Sequence, residues 1–456
     1  MNFNPNFLFQ ENLRMKQFVQ VVSLLIIGAT VSMAQPTLTL DKAVQLAVER
    51  NSTVVQARNT YSTQETAVQA AYGNLFPSVG VSGSGDWTKT KTPGYVVGGV
   101  AQGGQDDFSS YYRAGIGASV TLFDGFANYS TIDQVKARKE ASSENLTSAQ
   151  QNAIYQTHLL FLSMFRTFEL LKVNEDNLKR SQRQLTRITE ANKVGSVALA
   201  DVYRQRVQVG SDELALIQSQ NNLDKAKADL YSYLGIDNPD NYPIGFEGIS
   251  TDIDTVEFEM MNSKYSNFES LLNQAKEHRP DYRSAKQSLS ASESGIIIAK
   301  SSNLPSLSGS ASYGYGSDEL SSITDNSTLS FGLNLQYSIF NGFLTKLQVE
   351  QAQVNKMNAE EQLNQTIRQI RFDLQKAILD LGAAQKQIKV TTTSVESAEM
   401  DRKIAEEKYN LGAGTLLDVL IAQANYTTAI NNNVNAVIGY LLSKKQLEFT
   451  LGTISQ

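Results

Sequence analysis

The sequence predicts an α+β membrane protein in which four strands per chain join a barrel shared between copies. A long α-helical coiled-coil barrel continues it. Three observations carry this prediction. The chain repeats itself once at long range, and within each repeat helical and alternating patterns follow one another in the same order. The two longest helical stretches, 125–194 and 342–411, contain no proline.

The repeat shows in paired landmarks, and such periodicity governs any later reading of elements. Asn74-Leu75-Phe76-Pro77-Ser78 corresponds to Ser302-Asn303-Leu304-Pro305-Ser306. Leu122-Phe123-Asp124-Gly125-Phe126 corresponds to Ile339-Phe340-Asn341-Gly342-Phe343, and Leu234-Gly235 to Leu451-Gly452, both pairs at one constant offset. The offset changes only between proline and phenylalanine. The run from Pro77 to Phe123 is longer than that from Pro305 to Phe340, so the first copy carries an insertion there. Insertions collect in exposed loops.

Before the repeats, Met15-Lys16, the apolar run Phe18 to Val31 and Ser32-Met33-Ala34 have the layout of a secretory signal peptide. Translation from Met1 or from Met15 is compatible with it, and the expected mature start is Gln35. The expected divisions are therefore 1–34 signal peptide, 35–235 first repeat, 236–267 connector and 268–456 second repeat. Export without a single cysteine requires a large core, long helical packing or oligomerisation in place of disulfides. A formal charge of −6 excludes the basic footprint of a nucleic-acid binder. No later segment approaches the roughly 18 uninterrupted apolar residues of a membrane helix, so any crossing must use strands.

Each repeat opens on a helix, Leu40 to Leu75 in the first copy, ended by Pro77, whose ring and missing N–H break the ladder. Alternation follows. Ala114, Ile116, Ala118, Val120 and Leu122 share one face, while Gly115, Gly117, Ser119 and Thr121 share the other. In the second copy Leu329, Phe331, Leu333, Leu335, Tyr337 and Ile339 face one way, against Ser330, Gly332, Asn334, Gln336 and Ser338. Val79 to Trp87 and Leu307 to Tyr315 are the weaker partner strands. About 9–11 residues is the length that crosses a bilayer when tilted, and the uncharged small face suits a lumen wall. Tyr313, Tyr315, Tyr337 and Trp87 are candidates for an interfacial girdle. Gly98, Gly99, Gly103 and Gly104 read as an extracellular loop. Four strands cannot close a barrel, since outer-membrane barrels start at about eight. An open edge in lipid leaves backbone groups unsatisfied. Several copies must share one barrel, and three would supply twelve strands.

The long helices carry coiled-coil spacing: Leu363, Ile367, Ile370, Leu374, Ala377, Leu381, Ala384 and Ile388, and more loosely Leu146, Ala153, Leu160, Met164, Leu171, Leu178, Leu185 and Ile188. Each ends in a glycine turn and returns as a helix that closes near Leu234 or Leu451, about halfway back. Two short helices stacked end to end then match one long helix, with a break at mid-height. The turns are ANKVGSVALADV (191–202) and YNLGAGTLLDVL (409–420), in which Gly195 pairs with Gly412 and Asp201 with Asp418. The connector from Asp237 to Asn267, with Pro239, Pro243 and acids including Asp252, Asp254 and Glu257, reads as an irregular girdle at mid-height.

In order and duplicated, these features resemble the TolC family of outer-membrane efflux ducts over nearly all of the mature chain. The resemblance rests on the opening LTLDKAVQLAVERN, on Arg279-Pro280-Asp281, on the two Phe-x-Gly-Phe exits, on the two tips and on Leu451-Gly452. It implies a homotrimer in the outer membrane with a twelve-stranded barrel and a periplasmic helical tunnel. It further implies a passive duct for efflux or type I secretion, without cofactor or metal. Its expected partners are outer-membrane lipid, a periplasmic adaptor (membrane fusion protein) and an inner-membrane pump or exporter; no nucleic acid is implied. The adaptor-docking tips fall on Val194, Gly195, Leu411 and Gly412, and the entrance gate on Asp201, Tyr409 and Asp418. The family's arginine link falls on Gly414 and a second acid on Ile421, which implies a less negative, differently latched entrance.

Each gate residue also has a purely local reading. Thr415-Leu416-Leu417-Asp418 fits a capping box, whose acid complements the helix N-terminus. Asp201 lacks the box, because Ala198 stands at the threonine's place, and reads as an exposed first-turn acid. Tyr409 reads as a packed coiled-coil residue, and the glycines as helix C-caps. His158 and His278 each lie in a helical pattern without a metal-type neighbour, and no metalloprotease or phosphate-loop motif occurs. The competing functional reading is a periplasmic structural or adaptor-like coiled coil with a soluble β-domain.

Overall fold

Helices and strands follow one another in two matching series in the computed structural model, which describes residues 37–251, 253, 258–259, 261, 264–265 and 267–455. The signal-peptide reading and the acids Asp252, Asp254 and Glu257 lie outside the described residues. The first series is α1 (Leu40–Arg50), α2 (Ser52–Gly73), β1 (Ser78–Thr92), β2 (Tyr95–Val97), β3 (Val100–Gln102), β4 (Gln105–Phe123), α3 (Ala127–Lys193) and α4 (Leu199–Leu234). The second is α5 (Phe268–His278), α6 (Pro280–Ser301), β5 (Ser306–Ser317), β6 (Ser327–Gln336), α7 (Leu344–Asn410) and α8 (Leu416–Thr450).

The four long strands form one antiparallel sheet in the order β1-β4-β5-β6, which brings the two repeats' hairpins side by side. Register decides what the faces become. Val81 pairs with Ile116, Ile116 with Tyr313 and Tyr313 with Leu329, while Val79, Ala118, Ala311 and Phe331 form a parallel row. One residue away, Gly80, Gly117, Ser312 and Ser330 align, as do Ser78, Ser119, Ser310 and Gly332. The alternation of both repeats is thus in phase across all four strands. Opposite residues share a face, so the sheet has one apolar side and one side of serine and glycine. Within a single chain the apolar side is bare: Val81 is 83% and Phe331 78% exposed. Among the described residues no helix is long and apolar enough to cross a membrane.

Aromatic residues gather on one part of that apolar side. Trp87 meets Tyr112 edge-on at 5.8 Å and Tyr313 meets Tyr315 at 5.4 Å near the end farthest from the helices. Tyr337 lies at the opposite end, just beyond β6. The strand expected to reach Ile339 stops at Gln336, so Tyr337, Ser338 and Ile339 are outside the ladder.

The insertion in the first copy does not make a plain loop. It lengthens β1 and β4 to 15 and 19 residues, beyond the expected crossing length, and carries the small β2–β3 hairpin at its tip. Gly98 and Gly99 occupy positive φ at its two-residue turn, the combination a type I′ turn requires. Lys89–Asp106 at 3.1 Å and Arg113–Asp86 at 3.6 Å supply charges only in this outer half.

The exits from the sheet use the same device twice. Gly125 and Phe126, and Gly342 and Phe343, all have positive φ. A left-handed phenylalanine costs about 1–2 kcal/mol. Edge-on pairing with Phe123 and with Phe340, both at 5.5 Å, offsets about 0.5–1.5 kcal/mol of it. Gly125 is required for a further reason: a Cβ there would lie 2.7 Å from the Ser301 carbonyl oxygen.

Helices α3 and α7 are 67 residues each, slightly shorter than the proline-free runs that contain them, and span roughly 100 Å by helix rise. From Ile370 onward the predicted stripe is the core of the second repeat: Ile370, Leu374, Ala377, Leu381, Ala384 and Ile388 are buried together with Leu272, Tyr440 and Leu447, while Leu363 and Ile367 are only half-buried. In the first repeat Ala153, Met164 and Leu171 are buried with Phe161, Leu230 and Leu234.

The opening helix is not continuous from Leu40 to Leu75. It breaks at Asn51, whose side chain caps α2 by accepting from Thr53 N at 3.0 Å and donates to the Tyr233 carbonyl at 3.2 Å. Pro280 enforces the equivalent break after Arg279. The wall is therefore built from 22-residue upper helices and return helices of 36 and 35 residues that meet end to end. Gly235 abuts Arg50, and Gly452 abuts His278 and Arg279. The 11-residue helices α1 and α5 sit at this junction. Leu38 pairs with the connector through Leu38 N to Pro243 O at 2.7 Å, and Phe246 stacks on Phe168 at 4.5 Å. The described part of the connector thus packs against the start of the first repeat and against α3.

His158 is buried, 7% exposed, with Nδ1 lacking a protein partner. Burial, and secondarily the Lys445 charge, lower its pKa from 6.5 to about 4, against the opposing pull of Glu448 and Asp41. Protonation therefore favours the unfolded chain. Its contribution to stability should be complete above about pH 6.5 and be lost progressively as the pH falls towards 4. Thermal unfolding between those values should show His158→Gln gaining on the wild type as pH drops; parallel curves would refute this. His278 is instead exposed at the end of α5, with Nδ1 3.0 Å from the Gln274 carbonyl oxygen.

Candidate functional site

Both long helices end in the same turn for the same backbone reason. Gly195 N donates to Asn192 O and Ser196 N to Ala191 O; Gly412 N donates to Tyr409 O and Ala413 N to Lys408 O. These are Schellman closures, which need a left-handed residue, and Gly195 and Gly412 have φ of 77° and 75°. A Cβ on either glycine would meet nothing within 4 Å. Beside them Val194 is 80% and Leu411 77% exposed. Each tip thus presents an apolar knob next to an open backbone.

The return helices start differently. Thr415 caps α8 by accepting from Asp418 N at 3.2 Å, while Asp418 Oδ2 accepts from Thr415 N at 2.9 Å and from Thr415 Oγ1 at 2.7 Å. The capping box is complete. The Thr415 hydroxyl and N–H hold the Asp418 carboxyl below the usual aspartate range, so the cap is formed at neutral pH and lost only in acid. Helix α4 has no side-chain cap at Ala198. Asp201 is not a freely exposed acid: its carboxylate is half-buried and pairs with Arg204 at 2.9 Å.

The two tips of one chain pack together. Ile188, Val202 and Leu416 are buried in one cluster with Leu185, Val197, Tyr409 and Leu420 around them. Arg187 Nη1 donates to Asn410 Oδ1 at 2.9 Å across the pair. Tyr409 is therefore a packed residue, as its local reading held. Its hydroxyl is nevertheless buried without a hydrogen-bond partner. Burial first, and the negative charge of Asp201 second, raise its pKa. Asp201 and Tyr409 are brought close without being bonded, whereas Asp418 bonds within its own turn, to Thr415. Gly414 packs against Lys408, and Ile421 is exposed.

Sequence reading missed the polar contacts behind the tips. Asn177 of α3 accepts from Gln423 Nε2 at 3.3 Å and from Thr427 Oγ1 at 3.1 Å. Arg180 of α3 and Arg402 of α7 both lie over the Tyr426 ring. Asn177 and Arg180 thus reach partners in the other repeat, and no spacing signal links them. Among the described residues, no group of three or more His, Cys, Asp or Glu is placed to hold a metal ion.

Comparison with known proteins agrees with this architecture. The family model described as outer membrane efflux protein matches residues 43–236 and 271–453. The outer membrane protein TolC of Escherichia coli is 25% identical over 371 residues, covering 76% of this chain and 73% of that protein. The probable efflux pump outer membrane protein TtgC of Pseudomonas putida is 21% identical over 419 residues, covering 91% and 82%. Among solved structures, the outer membrane protein VceC from Vibrio cholerae superposes with a TM-score of 0.75 at 19% identity, covering 91% of this chain and 96% of that one. The Campylobacter jejuni CmeC outer membrane channel gives a TM-score of 0.75 at 20% identity, covering 91% and 85%.

Proposed function

The chain belongs to the outer membrane efflux protein family, and on that premise we propose that it is the outer-membrane exit duct of a tripartite efflux or type I secretion system. Three copies close one twelve-stranded barrel, in which β1 of one copy pairs with β6 of the next. Those two strands are the free edges of the sheet, and an unpaired edge is not sustained in lipid. The serine and glycine side lines the lumen and the apolar side meets the bilayer. The observation that carries this reading is the in-phase register, which gives one chain a continuous apolar face and a continuous small polar face.

The duct is passive and is gated at the tips. Val194, Gly195, Leu411 and Gly412 form the docking surface for a periplasmic adaptor, which links the duct to an inner-membrane pump or exporter. Exposed apolar knobs beside open glycine backbone support that role. Asp201 and Tyr409 sit where the two hairpins of a chain touch, and Asp418 guards the entrance while capping α8.

Purified protein in planar bilayers tests this. Ion channels from a trimer are expected, and a chain that stays monomeric and forms no pores would overturn the proposal. The two acids should separate in the same measurement. Asp418→Ala should weaken block by divalent cations more than Asp201→Ala, because Asp201 is already neutralised by Arg204. Equal and negligible effects at both would leave Asp418 with its capping role alone.

A further inference from the structure

Behind the tips, the cavity between the two hairpins has a composition that neither coiled-coil packing nor docking at the turns accounts for. About 400 Å³ is lined by Arg180, Arg183, Arg187 and Arg402, opposed by Asp212 and Glu406. Four guanidiniums against two carboxylates leave a local positive excess in a chain of net charge −6. The carboxylates are partly committed: Glu406 accepts from Arg402 Nη1 at 2.7 Å, and Asp212 accepts from Gln208 Nε2 at 2.9 Å.

The like charges are held together. The Arg180 and Arg402 guanidinium carbons lie 5.8 and 4.9 Å from the centre of the same Tyr426 ring. Arg180 Nη2 donates to Asn177 Oδ1. Arg180 Nε and Arg402 Nε are both buried with no hydrogen-bond partner. Two desolvated donors on charged groups are costly when unmade. An arginine fork matches the paired oxygens of phosphoryl and carboxylate groups.

We propose that this cavity binds a small multivalent oxyanion of the phosphate class, bridging Arg180 of α3 to Arg402 of α7. The bound anion supplies acceptors to the guanidinium N–H groups that line the cavity and cancels the repulsion between Arg180 and Arg402. It therefore clasps the first hairpin to the second, roughly 10–20 Å behind the tips by helix rise. This second consequence rests on the reading of the tips as the gate: an occupied site holds the entrance closed. The binding itself does not depend on that reading.

Inorganic pyrophosphate is the probe, titrated calorimetrically into detergent-purified assembled protein, with sodium chloride matched for ionic strength as control. Saturable binding of one pyrophosphate per chain is expected, weakened at least tenfold by Arg402→Gln and also weakened by Arg402→Lys, which keeps the charge and loses the fork. Arg371→Gln, at an exposed pair with Glu269, should bind as the wild type does. Pyrophosphate should raise the unfolding temperature of the wild type and not of Arg402→Gln, whereas without anion the Arg402→Gln protein should be the more stable of the two. Heat indistinguishable from the chloride control, or unchanged affinity in Arg402→Gln, would overturn the site. In bilayers, pyrophosphate on the tip side should lower the open probability of the wild type only. Binding without that effect would overturn the clasp, and failure to form channels at all would count against the duct and not against the site.

Discussion

Arginine in place of Phe331 should abolish assembly of the channel, whereas arginine at the adjacent Ser330 should leave assembly intact and alter ion selectivity. Phe331 lies midway along β6, 78% exposed on the apolar side, in a row with Ala311, Ala118 and Val79. Arginine at the midplane of a barrel's lipid face costs about 2–4 kcal/mol. Three copies incur it together, a total comparable to the about 5–15 kcal/mol that holds a typical protein folded. Ser330 points the other way, in a row with Ser312, Gly117 and Gly80, so its arginine enters the water-filled side. Three such charges should favour anions. The measurement is the yield of oligomer in the outer-membrane fraction on unheated gels, followed by reversal potentials in a salt gradient. Equal yields from the two variants would mean that the apolar side does not face lipid.

The second large effect belongs to mid-height. Gly452→Ala should destabilise the protein by about 2–5 kcal/mol, and Gly235→Ala by about 1–2 kcal/mol. Both glycines close return helices in the left-handed region, at φ of 72° and 65°, so both variants incur the same backbone cost. They differ in surroundings. A Cβ on Gly452 would come within 2.8 Å of the His278 carbonyl carbon and 2.9 Å of Arg279 N, which are backbone atoms at the α5–α6 break. On Gly235 the nearest atom is the Arg50 carbonyl oxygen at 3.9 Å. The second stack is close-fitting and the first has room. Thermal unfolding or protease resistance of the assembled protein ranks the two, and a Gly235→Ala protein as unstable as Gly452→Ala would refute the steric account.

Much of this was legible because it depends on period and punctuation. Period-two alternation placed the strands, and heptad spacing placed the buried stripe from Ile370 to Ile388. Glycine at matching positions placed the tips, since only a left-handed closure lets a helix turn back so tightly. The capping box at Thr415 and Asp418 was readable because both partners lie within one turn. Errors gathered where a distant partner decides the local outcome. Asn51 ends α1 partly because its side chain reaches Tyr233, 182 residues away. The lengthening of β1 and β4 follows from their pairing with each other, which overrode a loop-like composition.

Residue order alone was enough for the two-fold repeat, the succession of its elements, the amphipathic faces of its strands and the place of its two turns. Each follows from chemistry within a few residues, repeated often enough to be recognised. That β4 pairs with β5, in a register that fuses four short apolar faces into one, emerged only once the chain was folded. Folding alone also set Gly452 against the backbone of Arg279, left Tyr409 beside Asp201 without a bond, and gathered Arg180, Arg402 and Tyr426 around one cavity. Those residues meet because helices roughly 100 Å long pack side by side. Which side chains meet between such helices is set by their axial register, and no local pattern encodes that.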